Sequence, residues 1–509
     1  MRPCAPSFLA QILWLFFVID ILDYIPESIG TILLVVYIAA VLFTVGRILL
    51  DTQSSSKTLA YIMLVLIAPV VGMAIYFSFG VNYRHRRLDA RRQLILEELG
   101  GNFSESIPYT SKNLLHKEQS SLDYFTELSN FIYNLGNEGL TRNFTKLLVN
   151  GEEKFPEVMA ALEKAEQFIH IEYYTWENDK NGNALKDLLI KKAAEGVEVR
   201  VLYDDFGSRT IRKNVVRDMK ANGIEVFPVI KVNLVLLANR LNHRDHRKIV
   251  IIDGHTGFVG GINYSDRYDN RVDTGLYWRD THLKIVGRGV LFLQRHFVAT
   301  WNDCQSNWLY VNSKYFPKHP HEADKTGSDL VQIVGGGPIY RFSTIMMTYM
   351  KIFNDVRGRL FITNPYFIPN ESIHNILKQA SLSGVDVRMI LPGVSDSMLV
   401  DAASKFYFRG LLEAGVRIYQ YNRGFVHAKT VVADGKVAVV GTANMDNRSF
   451  DLNYEIMAVT YGKSLAGKLE QQFYDDLNEC TEITLQEWRN KPLASRLAYA
   501  VARLVSSLL

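Results

Sequence analysis

Two short stretches of this 509-residue chain carry the same polar residues at the same spacing. His246-Arg-Lys-Ile-Val-Ile-Ile-Asp-Gly aligns without a gap on His427-Ala-Lys-Thr-Val-Val-Ala-Asp-Gly, and the match runs on to Asn263 and Asn444. His, Lys, Asp, Gly, Gly and Asn recur at offsets 0, 2, 7, 8, 14 and 17 in both copies, and most positions between them are apolar. Side chains at i and i+2 of an extended strand share a face, so His246 with Lys248, and His427 with Lys429, each set an imidazole beside an ammonium. Two such pairs suit phosphoryl transfer. One neutral imidazole can attack phosphorus, a second in its protonated form can give a proton to the leaving oxygen, and two ammoniums can hold the phosphate oxygens.

An imidazole used in this way needs an acid on its other nitrogen. Asp280, in Trp-Arg-Asp-Thr-His, follows the first copy, and Glu455, in Asn-Tyr-Glu, follows the second at a corresponding place. Asp253 and Asp434 belong to the repeated motif, but each lies at an odd offset from its histidine and begins an Asp-Gly turn dipeptide. A structural task at the turn is therefore expected of them ahead of contact with substrate. A metal would call for further His or carboxylate ligands, whereas the companion of each His is a lysine, suited to an anion; no metal and no cofactor are expected. The three cysteines, Cys4, Cys304 and Cys480, have no ligand or disulfide spacing and fit a reducing compartment.

The elements that must position these residues also repeat. Phe168-Ile-His-Ile-Glu-Tyr-Tyr, Gly196-Val-Glu-Val-Arg-Val-Leu and Gly223-Ile-Glu-Val-Phe read as strands in the first half. Leu360-Phe-Ile-Thr, Gly384-Val-Asp-Val-Arg-Met-Ile-Leu and Gly415-Val-Arg-Ile-Tyr read so in the second, with helices of about a dozen residues between them. Each histidine opens a hairpin that turns at Asp-Gly. The expectation is an α/β fold of two pseudo-repeated α-β-α lobes, over residues 151–325 and 326–485, entered through a juxtamembrane connector at 84–150.

The N-terminal part, residues 1–83, reads as a membrane anchor. Residues 30–50 contain one charge, Arg47, and residues 59–80 contain none, so both are expected to span; residues 8–21 read as an interfacial helix or a short third span. Arg84, Arg86, Arg87, Arg91 and Arg92 follow the second apolar stretch, which by the positive-inside rule puts the large C-terminal part in the cytoplasm. The net charge of +4 is mild and its basic residues gather beside the anchor, which disfavours a nucleic-acid partner. At the other end, residues 486–509 read as an amphipathic helix, with Leu497, Val501, Leu504, Val505 and Leu508 on one face; it could pack on a lobe or lie on the membrane. The run at 232–238, just before the first motif, could line an acyl-chain entrance or belong to the core.

With these residues in view, the chain resembles the phospholipase D superfamily and, within it, the bacterial cardiolipin synthases. The resemblance rests on the two His-x-Lys-x4-Asp motifs and on the continuations Gly260-Gly-Ile-Asn and Gly441-Thr-Ala-Asn-Met-Asp-Asn-Arg-Ser-Phe. It also rests on Asp204-Asp-Phe-Gly-Ser, Tyr277-Trp-Arg-Asp-Thr-His and Thr363-Asn-Pro-Tyr-Phe-Ile-Pro. It implies transfer of a phosphatidyl group from one phosphatidylglycerol to another, releasing glycerol, at the inner membrane of a bacterium; a phospholipase D-type hydrolase, or a transphosphatidylase using another phospholipid or acceptor, is the alternative on the same scaffold. It further implies His246 as nucleophile, His427 as acid and base, and Lys248, Lys429, Asn263 and Asn444 on the phosphate. Asp280 and Glu455 would orient the imidazoles, with pairing across the lobe interface one possibility.

Overall fold

The computed structural model describes residues 27–52, 55–77, 113–229, 243–317, 327–338 and 340–506. The chain divides into two compact units, Met1–His85 and Arg86–Leu509. In the first, Glu27–Asp51 is one apolar helix. At about 1.5 Å per residue its 25 residues reach past the roughly 30 Å of a hydrocarbon core. By length and composition this helix can cross a membrane.

The second apolar stretch is not one continuous helix. It forms two helices, Ser55–Ile67 and Pro69–Ile75, broken at Ala68. Proline has no N–H to give the preceding turn and disfavours helical backbone in the residue before it. The pieces fold closely together: a Cβ on Gly72 would lie 2.6 Å from the Leu64 carbonyl oxygen. Among the described residues only one helix is therefore long and apolar enough to span. Residues 8–21, 84–92 and 232–238 lie outside the described residues.

The second unit is built on one 15-stranded sheet with helices on both faces, the mixed α/β arrangement of two lobes. In the first lobe Glu225–Pro228, Glu198–Tyr203 and Phe168–Tyr173 run parallel. Lys248–Ile252, Thr256–Gly260, Thr281–Gly287 and Thr141–Val149 continue them antiparallel. The second lobe repeats the order: Arg417–Tyr421, Asp386–Pro392 and Arg359–Thr363 parallel, then Thr430–Ala433, Val437–Gly441, Glu455–Tyr461 and Asp329–Gly336 antiparallel. Cys480–Ile483 adds an outer edge strand. Where the copies meet, Thr141, Arg142 and Asn143 pair with Val331, Leu330 and Asp329, so the half-sheets become one.

Local sequence explains the shared rhythm. The helices Lys180–Ala194 and Glu371–Leu382 start at Asp179 and Asn370, whose side chains accept the backbone N–H of Gly182 and Ile373. They are followed by Gly196 and Gly384, at φ 90° and 93°, a conformation that glycine adopts without a Cβ penalty. The strand Thr141–Val149 was not anticipated, since its residues fall within the expected connector. It buries the polar Thr141 and Asn143 and exposes Phe144, so a survey for apolar alternation passes over it.

One face of the sheet carries a core common to both lobes. Leu293 and Phe297 of the helix Gly289–Cys304, with Leu469 and Phe473 of Lys463–Leu477, pack there on Phe168, Leu202, Phe361 and Ile390. The other face has a separate core under each lobe. A sheet fused in the middle and backed by a common core fixes the lobes as one body, so groups from the two motifs can be set against each other with little play.

Candidate active site

Short segments that cross between the lobes mount the two histidines. Phe425 and Val426, which precede His427, pair in parallel with Trp278 and Arg279, which precede Asp280. Asp245, before His246, bridges Tyr454, before Glu455. The His427 N–H donates to the Arg279 carbonyl at 2.7 Å, and the His246 N–H to the Tyr454 carbonyl at 2.9 Å. These crossings deliver each histidine to the acid of the opposite lobe. His246 Nδ1 lies 3.0 Å from both carboxylate oxygens of Glu455, and His427 Nδ1 lies 2.7 Å from Asp280 Oδ2. With Nδ1 engaged, Nε2 is the ring nitrogen left for chemistry.

Each lysine donates back to the carbonyl of its own histidine, Lys248 Nζ to His246 at 2.6 Å and Lys429 Nζ to His427 at 2.5 Å. Both lysines are buried, and the imidazoles are 8% and 6% exposed, so the four groups meet in a nearly dry site. Burial pulls His246 down to about 4 and His427 to about 3, with the paired carboxylates pulling the other way. Both rings are therefore neutral near pH 7. Burial also lowers Lys248 to about 8 and Lys429 to about 7. His246, with Lys248 beside it, holds the Glu455 carboxyl below its ordinary value against the opposing effect of burial.

The acids are themselves held. Asp280 Oδ1 accepts the Thr281 N–H at 2.7 Å, while the Asp280 N–H donates to Asn150 Oδ1 and its carbonyl accepts the Asn150 N–H, both at 2.9 Å. Glu455 Oε2 accepts the Thr442 hydroxyl at 2.5 Å. An arginine holds each acid's carbonyl: Arg279 Nη1 donates to that of Asp280 at 2.6 Å and Arg247 Nε to that of Glu455 at 3.2 Å. Position 15 of the repeat separates the copies. Thr442 reaches Glu455 there, whereas Gly261 leaves space, since a Cβ would sit 2.1 Å from Asp280 Oδ1.

Of the ten residues expected here, His246, Lys248, His427, Lys429, Asp280 and Glu455 come together. Asn263 and Asn444 flank them and differ in state. Asn263 Oδ1 accepts the Thr175 N–H and its Nδ2 donates to Tyr268. The buried Oδ1 of Asn444 has no partner among the described residues. Asp253 and Asp434 lie at the hairpin turns, at φ 53°, away from the cluster. Asp253 accepts the N–H groups of Glu166, Gln167 and Phe168, and Asp434 those of Arg357, Gly358 and Arg359. Among the described residues no group of three or more His, Cys, Asp or Glu side chains is placed to hold a metal.

Sequence reasoning missed several supports. Asn150, the first residue of the helix Asn150–Glu163, carried no signal. Tyr174 packs edge-on against His246 with ring centres 4.8 Å apart, and Lys248 Nζ lies 5.2 Å from the same ring. Asp204, quoted only as part of a resemblance, accepts the Phe206, Gly207 and Asp245 N–H groups and so ties a loop to the residue before His246.

The family pattern described as "Cardiolipin synthase, PLD-like domain" matches residues 158–285 and again 349–477, one match per lobe. A second, "Phospholipase_D-nuclease N-terminal", matches 32–80. Cardiolipin synthase 1 of Bacillus anthracis is 37% identical over 476 residues, covering 91% of each chain. The chain belongs to the cardiolipin synthase family. With that membership its enzyme class is set: a phosphatidyltransferase of the phospholipase D type. Other members are close at similar levels. The cardiolipin synthase of Geobacillus kaustophilus is 37% identical over 92% of both chains, and that of Listeria innocua 36% identical over 94% of this chain and 98% of its own. Among solved structures, phosphatidylserine synthase of Haemophilus influenzae shares the fold, with a TM-score of 0.57 at 15% identity over 75% of this chain and all of that one.

Proposed function

We propose that this enzyme makes cardiolipin and glycerol from two molecules of phosphatidylglycerol through a phosphohistidine. The observation that carries the reading is the crossed pair of His–carboxylate contacts, each beside a buried lysine. In the first step His246 Nε2 attacks the phosphorus of one phosphatidylglycerol. The bond from phosphorus to the glycerol headgroup oxygen breaks, and His427, protonated on Nε2, gives that oxygen its proton. In the second, neutral His427 takes the proton from the headgroup hydroxyl of another phosphatidylglycerol, whose oxygen attacks phosphorus and expels His246. One phosphodiester replaces another, so no energy-rich cofactor is consumed.

The electrostatics support this division. A neutral imidazole is ready to attack, and a phosphodiester anion brought beside the lysines favours the cationic forms of Lys248, Lys429 and His427. Glu455 and Asp280 stabilise the imidazolium character that develops on either ring. Lys248, Lys429 and Asn444 hold the phosphate, and Asn263 orders the backbone next to it. The apolar helix Glu27–Asp51 and the arginines from Arg84 to Arg92 support residence in the bacterial inner membrane with the lobes on the cytoplasmic side, where such arginines also attract anionic lipid.

The test is to reconstitute the enzyme with phosphatidylglycerol alone and follow cardiolipin and glycerol, with His246→Ala and His427→Ala alongside. Equimolar cardiolipin and glycerol from wild type, and neither from the variants, is the expected result. Phosphatidic acid with glycerol would make water the acceptor and overturn the transferase reading.

A further inference from the structure

The C-terminal helix Leu493–Ser506 packs with one face and leaves another bare. Ala502 is buried with Ala403, Arg503 stacks over Phe406 at 4.6 Å, and Tyr499 stacks on Trp488, which in turn meets Phe408. These contacts set the helix antiparallel on Met398–Glu413. The face turned away presents Leu493, Leu497, Val501 and Leu504, exposed by 67%, 58%, 60% and 71%. Its last turn lies toward the first turn of the partner helix, where Met398 is 90% exposed, with Val394 close before it in the chain. That loop belongs to the rim of the active site. Its Asp396 accepts the Tyr366 hydroxyl at 2.5 Å, and the Tyr366 ring centre is 6.5 Å from that of His427.

We propose that this apolar ridge, running from the C-terminal helix to the Val394–Met398 loop, is the surface on which the catalytic unit rests on an anionic lipid bilayer. The inference rests on the reading of the substrate as a membrane phospholipid. Aliphatic side chains gathered in this way on a folded surface mark a contact site. The chemistry of the helix selects lipid: its 14 residues contain no acid, and Arg496 flanks the ridge, from where a long cationic side chain reaches headgroup phosphates. Continuity with the rim gives the ridge its purpose. A lipid phosphodiester lies at headgroup depth, and an enzyme seated by residues beside its own entrance takes that phosphate up with the acyl chains still in the bilayer.

The test uses the full chain in vesicles of phosphatidylglycerol and phosphatidylcholine. An environment-sensitive fluorophore is placed at Leu497→Cys, with Cys4, Cys304 and Cys480 replaced by serine and turnover checked first. Leu382→Cys is the reference, 73% exposed and at the far end of the strand Asp386–Pro392 from Val394. Nitroxide on the lipid acyl chains should quench the label at Leu497 and spare that at Leu382. Equal quenching at the two positions overturns the proposal, as does quenching that depends only on protein concentration, which would make a second copy the occupant. This readout needs no turnover, so it stands apart from the identity of the product. In parallel, the Leu497→Glu, Val501→Glu double variant should lose about 10-fold or more in kcat/KM on vesicles. Its turnover of a dispersed short-chain phosphatidylglycerol should be unchanged; an equal loss on both substrates counts against the ridge.

Discussion

The crossed pairing makes a prediction that pairing within each lobe would reverse. Glu455→Gln removes the charge opposite His246 and keeps the shape, and Asp280→Asn does the same opposite His427. A hydrogen bond to a charged group contributes about 1.5–3 kcal/mol, which at about 1.4 kcal/mol per decade is roughly 10- to 150-fold in rate. Both acids are buried, so the upper part of that range applies. Natural substrate would not separate the two variants, because both imidazoles act in the first step. A phosphodiester with a nitrophenolate leaving group does, because nitrophenolate departs without a proton. Asp280→Asn should then release nitrophenolate within about 10-fold of wild type, while Glu455→Gln stays slowed by about 100-fold. His246→Ala and His427→Ala in the same assay establish which ring attacks. If His246 proves the nucleophile and yet Asp280→Asn is the slow variant, the cross-lobe geometry does not govern catalysis and the reasoning fails.

Three further outcomes are expected. The first step needs His427 protonated and both lysines charged, whereas in the free enzyme His427 holds its proton only below about 3 and Lys429 and Lys248 lose theirs near 7 and 8, so kcat/KM should decline as pH rises above about 4 and more steeply through 7–8; a profile with no steepening at 7–8 would remove the lysines from phosphate binding. Gly261→Ala should abolish turnover and spare the fold, because the new Cβ would sit 2.1 Å from Asp280 Oδ1 and displace the acid from His427; activity within 3-fold of wild type, an order-of-magnitude criterion, would show that Asp280 can shift without loss. Asp253→Ala should lower the denaturation free energy by about 2–3 kcal/mol through three orphaned N–H groups and a strained positive φ, yet leave kcat of the folded enzyme within a few-fold; a stable but inactive protein would return Asp253 to the chemistry.

What could be read from the sequence followed from periodicity and from repetition. Alternation set the strands around each motif, and the doubled polar pattern singled out His246, Lys248, His427 and Lys429, because polar residues at matched offsets in an otherwise apolar run have no packing reason to coincide. The odd offset of Asp253 and Asp434 pointed to the turn, where their carboxylates gather backbone N–H groups. Which acid serves which histidine was beyond reach, since Asp280 lies 34 residues after His246 in the chain and yet faces His427, and only the two-residue pairing of Phe425–Val426 with Trp278–Arg279 decides it. Thr141–Val149 and Asn150 escaped because a central strand that buries Thr141 and Asn143 and exposes Phe144 has no apolar alternation to mark it. In the second apolar stretch 22 uncharged residues suggest a span, and the helix there is interrupted before Pro69, a break that hydropathy alone does not register.

The crossing also explains why neither lobe is a copy that could replace the other. Each half supplies a histidine and a lysine at the entry to one strand but sends its acid across, so half a site has an unsupported imidazole and a buried carboxylate without its ring, each costly to bury alone. Catalysis and the mating of the lobes thus depend on the same contacts. Behind the chemistry the halves differ: Arg247 where the other copy has Ala428, Gly261 where it has Thr442, and an aspartate facing one ring with a glutamate facing the other. Glutamate is longer by one methylene and is met by the Thr442 hydroxyl; aspartate is met by the Thr281 N–H and the clasp of Asn150. Two rings held in such unequal settings need not share one task, and a transfer that requires an attacker and a proton carrier has use for the inequality. It follows that Thr442→Gly, which copies the first lobe into the second, should weaken catalysis through His246 alone: phosphohistidine formation from the nitrophenyl substrate slows by about 10-fold, whereas the pH dependence of proton transfer through His427 is unmoved. A shift in both would mean that the two settings are coupled through the common core and do not act separately.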